Sequence, residues 1–119
     1  MRDFQQLEFW QRSHRLTLHI YRLTTSFPKE EVYGLTSQMR RSASSVPTNI
    51  AEGCGRHSST ELKRFFTIAA GSTSELQYQV ILSKDLGYIT ELTFKELCDE
   101  IIQIRKMIYG YCERLKADS

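Results

Sequence analysis

Phe94, Leu97, Ile101, Ile104, Ile108, Tyr111 and Leu115 recur at alternating spacings of 3 and 4 residues. A strand turns successive side chains to opposite faces, whereas this rhythm lines all seven along one side of a helix. Other apolar faces of the chain must cover that seam.

Three such faces precede it. Residues 5–26 carry Phe9, Leu16, Ile20 and Leu23, which with Phe27 just beyond them fall at spacings of 7, 4, 3 and 4. Pro28 stops this helix by pushing the residue before it out of the α region. Residues 31–56 carry Leu35, Met39, Ala43, Val46 and Ile50. Pro47 removes a backbone donor from this run and crowds the carbonyl of Ala43. The apolar period nevertheless crosses Pro47 in phase, which predicts one helix kinked there, closed by Gly53 and Gly55. Residues 59–86 begin with a capping box, Ser58 to Glu61, and carry Leu62, Phe66, Ala69, Thr73, Leu76 and Val80. Their small cluster Ala69-Ala70-Gly71-Ser72 lets a neighbouring helix come close, and Gly87 is the stop signal. The seam at 91–116 starts from Thr90 or Thr93, between which the sequence does not choose.

Residues 1–119 make one domain, with 40% hydrophobic and 25% charged side chains, long enough to bury a core without crosslinks. Helices of roughly 35–40 Å, at about 1.5 Å per residue, cannot be spanned by the few residues left between them. Each must turn back on the last. The expected fold is all-α, an antiparallel up-down-up-down four-helix bundle.

Most chemistry is absent from this pattern. There is no apolar run of bilayer length, and Met1-Arg2-Asp3-Phe4-Gln5 lacks the apolar stretch of a signal peptide, so no membrane partner is expected. Cys54, Cys98 and Cys112 are odd in number and without C-x-x-C spacing, which fits free thiols in a cytoplasmic location. His14, His19 and His57 each lack a carboxylate three residues upstream, so a di-iron bundle site is not expected, nor any other metal or cofactor. Gly53-Cys54-Gly55-Arg56 lacks the ending of a phosphate loop and a strand before it. The chain is expected not to be an enzyme. The one arrangement to set against this is Glu52 beside Arg41 and Arg56, which would need Glu52 in an open cleft.

Two polar stripes remain. Arg12, Arg15, His19 and Arg22 recur at 3, 4 and 3, about 100° round the first helix from its apolar face. A row of cations is a nucleic-acid-binding candidate, since phosphate backbones attract it; a solvated face is the alternative. A net charge of +2 is too small by itself to decide. On the other flank Trp10, His14 and Tyr21 make either a wider core or a subunit interface. In the second helix Gln38, Arg41, Ser45, Asn49, Glu52 and Arg56 line one edge. They face a partner, or they form a network that serves the backbone around Pro47.

The run Tyr33 to Arg41, the segment Ser44-Ser45-Val46-Pro47-Thr48-Asn49-Ile50-Ala51-Glu52-Gly53 with Arg56, and Ile68-Ala69-Ala70-Gly71-Ser72 with Glu75 carry a family likeness. Leu86-Gly87-Tyr88-Ile89, Trp10, Tyr21 and Phe27-Pro28 extend it over nearly the whole chain. The chain resembles the four-helix bundle proteins encoded within intervening sequences of bacterial 23S ribosomal RNA genes. It is also similar to the accessory proteins of diversity-generating retroelements. The resemblance implies a ring-like homopentamer, without established enzymatic activity. From the retroelement side it implies RNA or DNA and a reverse transcriptase, or another protein, as partners. By position it carries over Gln38, Arg40, Arg41, Asn49, Glu52, Gly53, Arg56, Gly71, Ser72 and Glu75 as structural or partner-binding residues. The expected function is a homo-oligomeric scaffold that binds RNA or DNA through the repeated basic stripe. The alternative is a protein-interaction module without nucleic acid.

Overall fold

The computed structural model describes residues 2–118; Met1 and Ser119 of the expected domain lie outside them. It contains four long helices, α1 (Glu8–Thr24), α2 (Leu35–Cys54), α3 (Ser59–Asp85) and α4 (Glu91–Asp118). Each helix packs on the next, and α1 closes the circle against α4, leaving α1 and α3 at opposite corners. Contacts between neighbours run in reverse sequence order. Thr24 meets Arg40 while the Arg2 amide meets the Cys54 carbonyl, and Ser72 meets Ser45 while Ser83 meets Met39. Arg105 meets Thr73 while Lys84 lies over Phe94, so α4 also runs back along α3 and successive helices point in opposite directions.

The four seams bury as one core. Phe9, Leu16, Ile20 and Phe27 of the first segment, all five apolar residues named in α2 and all six named in α3 are buried. In α4, Leu97, Ile101, Ile104 and Ile108 are buried, while Phe94, Tyr111 and Leu115 pack at its margins.

Helix ends depart from the periodicity for local reasons. Phe4–Gln6 is a separate 3-10 turn, because the Asp3 side chain accepts from the Gln5 amide and Leu7 is extended. Lys29–Glu31 is another such turn, and α2 begins only after Gly34. At the far end of α1 the hydroxyls of Thr25 and Ser26 donate to the carbonyls of Arg22 and Leu23. The Ser58 Oγ accepts from the Glu61 amide, and Thr90 rather than Thr93 caps α4 by accepting from the Thr93 amide.

Half of the glycine reading of α2 needs correction. Gly55 does close the helix as its C-cap, with an ordinary φ of −83°, whereas Gly53 is inside it. A Cβ on Gly53 would stand 3.0 Å from the Phe66 ring and 3.1 Å from the Leu62 carbonyl, so its role is close packing of α2 on α3. The left-handed stop belongs to Gly87 (φ 80°), where the Gly87 and Tyr88 amides donate to the Lys84 and Ser83 carbonyls.

Candidate functional site

Arg12 is not a free cation. Its Nη2 and Nε lie 2.6 and 3.0 Å from the two carboxylate oxygens of Glu100 on α4. This hydrogen bond holds the Glu100 carboxyl below the usual carboxylate range and raises Arg12. The row read from α1 alone therefore faces acids, since Glu96 and Glu100 share a cleft with Arg12, Arg15 and His19. Arg15, His19 and Arg22 remain exposed.

Between α1 and α2 the sequence poses a definite problem, because Pro47 leaves the Ala43 carbonyl without its helical donor. The helix continues from Leu35 to Cys54 all the same. The buried Thr17 hydroxyl of α1 lies 3.1 Å from that carbonyl and 2.8 Å from the Ser13 carbonyl, so its one proton can serve either. Arg40 ties the other end: its guanidinium donates to Thr24 Oγ1 (2.9 Å) and the Tyr21 carbonyl (3.1 Å), and lies over the Tyr21 ring. A groove of about 590 Å³ opens here, lined among others by Tyr21, Lys29, Thr36, Arg40 and Arg41. Arg41, expected on one edge of α2 with Asn49 and Arg56, is among its lining residues. Further along, Trp10 stacks on His14 (5.3 Å between ring centres) and meets Phe4 edge-on, half-buried against the Pro47 side of α2.

Between α2 and α3 lies a polar network. The Asn49 amide donates to the Ser45 carbonyl (2.8 Å) and Oγ (3.0 Å), and Ser72 Oγ lies 3.0 Å from Ser45 Oγ. Arg56 pairs with Glu52 at 3.4 Å and stacks on Phe65. Glu52 is exposed and in contact with that arginine, not held in a cleft. Gln38 and Glu75 are exposed. Gly71 is exposed in mid-helix, and a Cβ there would meet nothing within 4 Å.

Thr17 and Ser13 escaped the sequence reading. Their signal was a hydroxyl pair at i and i+4 beside the apolar stripe of α1, opposite a helix that contains proline. Burial raises the thiols of Cys54, Cys98 and Cys112, all unpaired. Among the described residues no group of three or more His, Cys, Asp or Glu could hold a metal ion. Nor is any helix there long and apolar enough to cross a membrane.

The fold is similar to that of a crystal structure from Bacteroides thetaiotaomicron, a protein of unknown function from the S23 ribosomal protein family. The TM-score is 0.79 at 20% identity, covering 87% of this chain and 97% of that one. No curated protein matches the chain. Residues 5–110 match the model of the 23S rRNA-intervening sequence protein family. A match over that much of the chain, joined to the four-helix architecture, makes this protein a member of the 23S rRNA-intervening sequence protein family.

Proposed function

We propose that this protein is a non-enzymatic scaffold that assembles head-to-tail with copies of itself. The carrying observation is Gly71. A glycine in a helix interior costs about 1 kcal/mol relative to alanine. Within the chain nothing needs the missing side chain there. The need is then external, a second backbone approaching α3. Ile68 (42% exposed) and Tyr78 (62%) flank Gly71 on the same helical side. At the opposite corner α1 offers Leu18 and Tyr21, both exposed, beside the half-buried Trp10. Two different apolar patches on opposite corners suit a heterologous contact, which closes into a ring when the rotation permits. A net charge of only +2 per chain opposes assembly little.

Light scattering on variants tests this reading. Gly71→Leu and Ile68→Asp each reduce the assembly toward the 13.9 kDa protomer, and Trp10→Ala with Tyr21→Ala weakens it. Assemblies unchanged by all of these substitutions would contradict the head-to-tail contact.

A second reading, RNA or DNA held by the basic stripe, has support from the exposure of Arg15, His19 and Arg22. In a ring each weak contact is repeated, which raises avidity. Binding that does not change when Arg15 and Arg22 become Ala would exclude the stripe.

A further inference from the structure

We propose that the groove between the end of α1 and the start of α2 is a binding site for a phosphate group. Four independent features converge there. The first turn of α2 has no acidic residue and Gly34 provides no side-chain cap. The Glu31 carboxylate accepts from the Leu35 amide, which leaves the Thr36 and Ser37 N–H groups as the open donors of the helix start. Such donors, at the positive end of the helix dipole, favour an anion.

Thr36 supplies the second feature. It is 6% exposed, lines the groove and makes no side-chain hydrogen bond among the described residues. The residue is nearly buried, yet its hydroxyl is not sealed off, so it stays open to a ligand in the groove. Thirdly, Lys29 and Arg41 line the same groove, and neither meets a carboxylate among the described residues. Fourthly, Arg40 covers the Tyr21 carbonyl at the end of α1, which shields an incoming anion from the negative end of that helix. No acidic residue is among those lining the groove; the one carboxylate at this helix start, Glu31, is engaged by the Leu35 amide and the Tyr88 hydroxyl.

Two N–H groups, one hydroxyl and two to three cations match the acceptor oxygens and charge of a phosphate ester. A free nucleotide and a nucleic-acid strand both present that group. This site is distinct from the α1 stripe and from the α3 face around Gly71; Tyr21 lines the groove and also belongs to the α1 assembly patch, but the test replaces none of that patch.

Amide NMR spectra of the full chain, titrated separately with inorganic phosphate, adenosine monophosphate and a short single-stranded RNA, decide the matter. The Thr36 and Ser37 amides are expected to shift with inorganic phosphate. A tighter response to the nucleotide or to RNA identifies the source. Lys29→Ala with Arg41→Ala, both exposed positions, weakens binding by about tenfold or more, as loss of charge-assisted hydrogen bonds requires. Thr36→Val weakens it less, and circular dichroism checks that each variant is folded. Silent Thr36 and Ser37 amides at saturating concentrations of all three probes would overturn the proposal. Binding unaffected by the double substitution would overturn it as well.

Discussion

At the scale of single residues, the most specific device is the threonine that serves a proline. Pro47 costs α2 one backbone donor, and the Thr17 hydroxyl comes within 3.1 Å of the carbonyl left open. Thr17→Val keeps the shape and removes the donor, so urea unfolding should show a loss of about 1–2 kcal/mol, the cost of an unsatisfied buried acceptor. Pro47→Ala restores a helical N–H, and in that background Thr17→Val should cost clearly less. Equal costs in both backgrounds would mean that the two residues act separately. Gly53→Ala is expected to destabilise by about 1–3 kcal/mol, because its new methyl would press on Phe66 and the Leu62 carbonyl.

At the scale of elements, Gly87→Ala should cost about 1 kcal/mol in thermal or urea unfolding. An L side chain at φ 80° is strained there, and the two closing hydrogen bonds of α3 depend on that turn. Much of this level was legible. The α4 heptads, the α3 face and the Ser58 cap needed only local spacing. Less legible was whatever depends on a partner far away in sequence. Arg12 looks like a free cation because its counter-ion, Glu100, lies 88 residues on. Gly53 looks like a stop because Phe66, the ring it accommodates, belongs to another helix. The groove beside Lys29, Thr36 and Arg41 takes shape only where Tyr21 and Thr24 of α1 wall it. The family signature also mixes roles: Asn49 and Ser72 sit in a network, whereas Glu75 and Gly71 look outward.

At the scale of the whole molecule, charge pairs set the pH response. Glu100, Glu61 and Glu31 are held below the ordinary carboxylate range by hydrogen bonds from Arg12, from Arg64, and from the Leu35 amide with the Tyr88 hydroxyl. Their contribution is therefore present near neutral pH and is lost as pH falls through and below that range. The α1–α4 seam is the least intimate of the four, and Arg12–Glu100 crosses it. Glu100→Gln should accordingly lower the melting temperature near neutral pH and flatten its fall in acid. An unchanged acid profile would assign that fall to other carboxylates.

Self-assembly is the claim on which the scaffold reading stands, and the mass of the unmodified protein tests it directly. Light scattering across a concentration series should give a closed multiple of 13.9 kDa, near five copies if the ring takes the form its family likeness implies. A mass of one protomer at every concentration would contradict the account.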